Sequence, residues 1–296
     1  MLHFKRITLA DKKAIQQITL SSKRRNCDLS FANLYSWNFL YQTEYAIASD
    51  VLFMRFRADD KWMYMLPVAD RMTIEILNLL AEDAQCNKSP LVIAGVCEDI
   101  IPEIESLMPG YFTFTADRDY ADYIYRTEDL LMLSGKKYQS KRNHINQFKN
   151  RYPDYKYCAL TPEHISDCLS LEEKWCLTHD ASHLRALQAE RISMSRCLNH
   201  LADLDIHGGV LLVDNRIVAF TYGVPINDEV FDVCIEKADA SFEGVYAMIN
   251  HEFISHLPAQ YRWINREEDL GIEGLRQSKL SYHPAFLVEK YIAETK

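Results

Sequence analysis

The sequence predicts an α/β protein of two domains, each a mixed sheet flanked by helices, and three observations point there. With 296 residues, 48% of them hydrophobic, the chain holds enough apolar material for two ordinary cores. One order of segments, a β-rich run followed by helix, strand and helix, occurs twice without any short-period repeat. Between the two occurrences lies GKKYQSKRNHINQFKNRYPDYK, residues 135–156, with seven Lys or Arg against one Asp. That stretch is +6 in a chain of net charge −9, so the remainder carries −15. Such asymmetry marks a linker or an anion-binding surface. The expected division is a first domain over 1–135, a basic interdomain segment over 136–156 and a second domain over 157–296.

The first half opens with LADKKAIQQITLSS, where Ile15 and Ile18 fall on one helical face and Asp11 stands at the start, the end an acid favours. Leu29, Ala32, Asn33, Ser36, Trp37 and Leu40 mark a second helix. VLFMRFRADDKWMYMLPV reads as a hairpin around RADDK. MTIEILNLLAEDAQ is helical, PLVIAGV a short buried strand and EDIIPEIESLMP another helix.

The second half begins with Thr161, Pro162 and Glu163, an N-cap, first-turn proline and early acid for TPEHISDCLSLEEKWCLTH, and a second helix follows in ASHLRALQAERISMSRCLNHL. GGVLLVD, NRIVAFTYGVPI and EVFDVCIEKA form a three-stranded meander turning at Asp214-Asn215 and Asn227-Asp228. After them come a loop and helix in SFEGVYAMINHEFISHL, a strand in YRWINRE, a helix in GIEGLRQSKLSY and one final strand-like segment, AFLVEKYIAE.

Several classes of function are set aside. No run of eighteen apolar residues exists and MLHFKRITLADKK lacks a signal-peptide apolar region, so a cytoplasmic protein with no integral membrane segment is expected. The eight dispersed cysteines form no CxxC pair and suit reduced, buried thiols. A nucleophile elbow, a GxGxxG fingerprint and a Walker loop are absent. Cys176, His179 and His183 have zinc-like spacing but no fourth ligand nearby, so no metal is expected. The acidic balance opposes broad wrapping of nucleic acid and leaves room for a local basic groove.

The doubled order of elements is that of acyltransferases of the GNAT type. Together with YADYIYRTEDLLMLSGKKYQSKRNHINQF at the junction and WINREEDLGIEGLRQSKLSYHP near the end, it resembles an uncharacterised bacterial family akin to the catalytic domain of phosphatidylglycerol lysyltransferases. Through that relationship it also looks like the Fem-type peptidyltransferases. The resemblance implies two tandem GNAT-like domains with mixed sheets. It also implies acyl or aminoacyl transfer to an amine or hydroxyl, with aminoacyl-tRNA or an acyl-CoA as co-substrate and no permanently bound cofactor. tRNA is then the expected macromolecular partner, and the acceptor a small molecule or lipid headgroup. The alternative is a degenerate transferase fold that binds an anionic nucleotide-like or lipid-headgroup ligand without chemistry. Coenzyme-A-dependent relatives carry a Q/R-x-x-G-x-G/A loop; here Ser241-Phe-Glu-Gly-Val-Tyr-Ala247 offers Gly244, Val245 and Ala247, while Glu243 would repel a phosphate.

Candidate site residues follow from placement. A helix over 140–152 puts Ile145, Phe148 and Tyr152 on one stripe, edged by Lys141, Arg142 and Lys149, and with Lys137 and Asn143 these form the candidate anion-binding set. A solvated basic linker is the competing reading. In WINREEDLG, Glu267 or Glu268 is positioned to take a proton from an attacking amine and Arg266 to pair with it or hold a substrate carboxylate; the competing reading is an acidic helix start. Asp232 and Glu236, two alternations apart on one strand, are expected to share a face around Cys234. The resemblance adds Tyr282, where many N-acetyltransferases keep a tyrosine that protonates the leaving group. Lys279 is expected to neutralise phosphate or to pair with Glu273 or Asp269.

Overall fold

A computed structural model describes residues 2–58, 60–177 and 184–296. The first half contains β1 (Lys5–Arg6), α1 (Lys12–Thr19), α2 (Phe31–Ser36), α3 (Asn38–Tyr41), β2 (Glu44–Ala48), β3 (Val51–Ala58), β4 (Lys61–Val68), α4 (Ile74–Cys86), β5 (Val92–Cys97), α5 (Ile101–Leu107), β6 (Phe112–Ala116), β7 (Asp122–Arg126) and α6 (Thr127–Met132). The basic segment is α7 (Gln139–Arg151). The second half contains β8 (Lys156–Ala159), α8 (Ile165–Leu177), α9 (Leu184–Leu198), β9 (His207–Val213), β10 (Arg216–Pro225), β11 (Val230–Ala238), α10 (Val245–Ser255), β12 (Trp263–Asn265), α11 (Glu273–Leu280), β13 (Phe286–Val288) and β14 (Lys290–Thr295).

Two seven-stranded mixed sheets result. The first has the order β1-β2-β3-β4-β5-β14-β6 and the second β13-β7-β12-β11-β10-β9-β8. The β9–β10 hairpin turns through Asp214 and Asn215, both in left-handed backbone, as a tight two-residue hairpin requires. The expected hairpin around RADDK is the antiparallel β3–β4 pair.

The sheets exchange strands. After β6 the chain leaves the first sheet and places β7 between β12 and β13 of the second; after β13 it returns, with Glu289 alone between, and places β14 between β5 and β6. The final strand-like segment AFLVEKYIAE is therefore two strands in two sheets. Strand membership crosses both expected domain limits, because β7 lies within 1–135 and β14 within 157–296.

The halves also share a core: Ile15 of α1 and Phe31 of α2 pack in one cluster with Leu198 of α9 and Phe220 of β10. The outer face of the first sheet is covered by α4 and α5 around Leu77 and Ile104. The outer face of the second is covered by α7 and α10, where Ile145 and Phe148 meet Val245 and Met248. As the stripe on α7 predicts, Ile145 and Phe148 are buried, and Tyr152 packs its ring on Phe148 at 5.0 Å.

Candidate functional site

The site lies where β11 and β12 part. Their parallel pairing lasts three residues, Val230↔Trp263, Phe231↔Ile264 and Asp232↔Asn265, after which β11 runs on to Ala238 while the chain beyond β12 turns away. β11 carries a bulge there: Val233 pairs with Gly223 and Ile235 with Tyr222, which leaves Cys234 as the extra residue. Beyond a bulge the alternation of faces reverses. Asp232 therefore faces α2 and bonds Asn33, whereas Glu236 faces α10 and bonds Asn250, contrary to the expectation that the two acids share a face.

The turn after β12 is held from both sides. The Asn265 side-chain oxygen accepts the Glu267 N–H at 2.6 Å, and its amide donates to the Arg25 carbonyl at 2.7 Å and to Asp122 at 2.9 Å. Glu267 occupies left-handed backbone at φ +56°, unusual for a residue with a Cβ, and its side chain bonds Asn33 while that of Glu268 bonds Lys290. Lys279 is buried under this loop and donates to the carbonyls of Arg266 and Glu268. It pairs with neither Glu273 nor Asp269: Asp269 is fully buried against Arg276 at 2.7 Å, Arg118 at 3.1 Å and the Tyr123 hydroxyl at 2.5 Å.

Two buried or half-buried groups of the same composition flank the turn on its α2 side. In the first, Cys27, Asp122 and Glu268 surround the Lys290 ammonium, which donates to Asp122 at 2.9 Å, to Asp28 at 3.1 Å and to Glu268. Burial opposes that charge, but Asp122 and Asp28 hold the Lys290 pKa well above its ordinary value. Burial pushes the Cys27 thiol well up, so it stays protonated. Glu268 is thus an ion-paired residue.

In the second group, Asp232, Cys234 and Glu267 bring their acceptor atoms within 4.8 Å of one another. Its carboxylates accept from the neutral Asn33 amide, at 3.2 Å from Asp232 and 2.9 Å from Glu267, and from the Cys234 thiol, 3.6 Å from Asp232, while the Ser30 hydroxyl also favours the ionised form of Asp232. Asp232 is fully buried and its Oδ1 has no partner. Burial, and then Glu267 and Asp122, raise its carboxyl well above the ordinary carboxylate range. Burial and Glu268 lift Glu267 to about 8. The two adjacent carboxyls thus titrate together, and both hold protons to higher pH than ordinary acids.

On the α10 side, the 9%-exposed Arg266 donates to Glu236 at 3.2 Å, and its guanidinium lies 4.8 Å from the Tyr282 ring centre. Lys141 of α7 stands over the same ring at 3.8 Å. Burial, with Arg266 second, lowers Lys141 to about 8. Tyr282 is itself buried, which keeps its hydroxyl protonated.

The other sequence candidates sit apart. Arg142 donates to the carbonyls of Leu133 and, at 2.8 Å, Gly135, and to Gln139 at 2.6 Å, so it fastens the start of α7 to the preceding turn. Asn143 accepts from Gln139 on the exposed face, Lys137 lies over Tyr138, and Lys149 is exposed. Gly244, at φ +82°, starts α10, but a Cβ there would come 2.1 Å from the His144 carbonyl oxygen of α7; Val245 and Ala247 are buried. α7 thus covers the α10 N-terminus that a pyrophosphate would need, and Glu243 pairs with Arg151 at 3.5 Å. His179 and His183 lie outside the described residues; Cys176 bonds Glu172 at 2.8 Å.

Asn33, Cys27, Asp122 and Lys290 were not legible as site residues. For Asp122 and Lys290 the one signal is a charge inside an apolar strand run, YADYIYR and FLVEKYIA.

Comparison with known proteins agrees with this architecture. A conserved protein of unknown function from Bacteroides thetaiotaomicron is 49% identical, with a TM-score of 0.97 and all of both chains covered. A C-terminal domain assigned to a lysylphosphatidylglycerol synthetase of Agrobacterium fabrum shares the fold at 12% identity and a TM-score of 0.69, covering 98% of this chain and 93% of that one. FemX shares it at 10% identity and a TM-score of 0.52, covering 98% and 97%. The uncharacterized protein MYCGA3080 of Mycoplasmoides gallisepticum is 26% identical over 195 residues, which make up 65% of this chain and 62% of that relative. Among the described residues no helix is long and apolar enough to cross a membrane. The family described as phosphatidylglycerol lysyltransferase, C-terminal, matches residues 20–294, and the chain belongs to it.

Proposed function

We propose that the protein transfers an aminoacyl group from aminoacyl-tRNA to a primary amine, at the divergence of β11 and β12. One observation carries the choice of an amine. Cys27, Asp122 and Glu268 enclose the primary ammonium of Lys290, while the matching group of Asp232, Cys234 and Glu267 has an unpartnered carboxylate oxygen and, among the described residues, makes no ion pair. A substrate ammonium completes the second group as Lys290 completes the first. The family supports aminoacyl transfer, and the cover that α7 places over α10 favours an aminoacyl ester over a coenzyme A thioester.

In this mechanism the acceptor ammonium docks between Asp232 and Glu267, its charge favouring the ionised form of Glu267, and gives one proton to that carboxylate. The free amine attacks the ester carbonyl carbon. The C–N bond forms, the ester C–O bond breaks, and the second proton lost by nitrogen ends on the departing ribose hydroxyl. Asn33 holds both carboxyls in place, and no covalent enzyme intermediate is required.

The test is discharge of a labelled aminoacyl-tRNA pool in the presence of primary amines, with phosphatidylglycerol vesicles as a hydroxyl acceptor in a parallel arm. Amine-dependent discharge that falls at least a hundredfold in Asp232→Asn supports the reading. Discharge to the hydroxyl acceptor alone overturns the amine assignment. Saturable tRNA binding without discharge to either acceptor overturns transfer.

A further inference from the structure

We propose that Arg266 and Lys141 form a binding subsite for a phosphate group on the α10 face of the strand divergence, across the second sheet from the carboxylate pair. The subsite rests on the reading of the strand divergence as a substrate site and adds the chemistry of the group held on its far side.

The charge balance calls for an anion. Arg266 and Lys141 flank the one ring of Tyr282, and the carboxylate beside them is Glu236. Glu236 divides its oxygens between Arg266 at 3.2 Å and the Asn250 amide at 3.1 Å. Arg266 Nη1 is buried without a hydrogen bond of good geometry, its guanidinium meeting the Tyr282 side chain besides Glu236, and among the described residues Lys141 makes no hydrogen bond or ion pair and feels the Glu236 carboxylate only from a distance. A buried guanidinium donor left unmade costs free energy that a bound oxyanion restores. The mutual repulsion that, after burial, depresses Lys141 is relieved by the same anion.

The chemistry of the pair selects the ligand. Arg266 presents Nη1 from a fixed planar fork and Lys141 a mobile ammonium, which together suit the spread oxygens of a phosphate better than one point charge. Lys141 also projects from α7, a helix with no acidic residue, so the subsite opens under a positive surface that draws phosphorylated molecules.

The probes are adenosine 5′-monophosphate, sn-glycerol 3-phosphate and inorganic phosphate, titrated calorimetrically at constant ionic strength against the full chain. Lys141→Met retains the apolar stem, Lys141→Arg retains the charge, and Lys136→Met removes an equal charge from the exposed turn before α7. Saturable binding that weakens at least tenfold in Lys141→Met, recovers in Lys141→Arg and is unchanged in Lys136→Met supports the subsite. Preference for the nucleotide or for the glycerol ester then identifies which side of the reaction supplies the phosphate, and equal binding of all three means that the phosphate alone is recognised. No saturable binding, or equal weakening in Lys136→Met and Lys141→Met, overturns the proposal, with unfolding temperatures within about 2 °C of wild type showing that the variants fold. A protein that binds these probes through Lys141 but discharges no tRNA refutes the transfer reading alone. One that discharges tRNA yet binds no probe refutes the subsite alone.

Discussion

Replacing Glu267 with Gln tests the electrostatic core of the site without reference to any substrate. The carboxyl sits near 8 in the folded protein against an ordinary value of 4.5, raised by burial and by Glu268. Because the folded value is the higher, the stability tied to the protonated form is complete below about 4.5 and drains away as pH climbs through 8. Each pH unit in that window is worth about 1.4 kcal/mol, so between pH 5.5 and 7.5 the wild type loses up to about 3 kcal/mol through this group. Partial solvent access to Glu267 and its coupled titration with Asp232 reduce the expected loss to about 2 kcal/mol. Gln cannot titrate, and its amide replaces the protonated carboxyl beside Asn33. The variant is therefore expected to gain on the wild type by about 2 kcal/mol between pH 5.5 and 7.5, or roughly 3 °C in unfolding temperature for a chain of this size. Denaturant melts at the two pH values measure it directly. Parallel wild-type and variant profiles would mean that Glu267 ionises normally, and both the coupled titration and its use as a base would fall with it.

Two further substitutions probe what holds the site in place. Lys290→Met is expected to destabilise the protein by about 3–5 kcal/mol, since it strands Asp122 and Glu268 without their cation, and a loss below 1 kcal/mol in denaturant melts would show that those acids are neutral. Gly244→Ala combines a left-handed backbone with a Cβ 2.1 Å from the His144 carbonyl oxygen, so a loss of about 2–4 kcal/mol is expected; an unchanged melt would place α7 farther from α10.

The helices and the meander were legible because period and turn chemistry are local. The buried stripe on α7 follows from spacing, and the hairpin at Asp214 and Asn215 from residues that tolerate left-handed backbone. Strand exchange was hidden, because nothing in the run FLVEKYIA marks Glu289 as the point where the chain passes between sheets. Part of the site was legible too: Asp232, Glu267, Arg266 and Lys141 were all singled out from the sequence. What strict alternation missed was the bulge at Cys234, which sends Glu236 to the far face and so separates an acidic side from a cationic one. Glu267 and Glu268 look equivalent in sequence, and only the left-handed turn at Glu267, fixed by Asn265, gives one an unpaired carboxyl and the other an ammonium.

The exchange and the site are physically one arrangement. β7 carries Asp122 into the second sheet, β14 carries Lys290 into the first, and the two side chains meet at 2.9 Å between the sheets, closing each crossing with the other's charge. Glu268 joins this ion group, and Lys279 holds the backbone on either side of Glu267, so the loop bearing the proposed base is tied to strands from both halves of the chain. A base on such a loop cannot relax toward Lys290 to lose its uncompensated charge without breaking the Asn265 and Lys279 contacts together. The cost of keeping Asp232 and Glu267 unpaired is thus carried by the fold, which leaves their carboxyls available to a ligand.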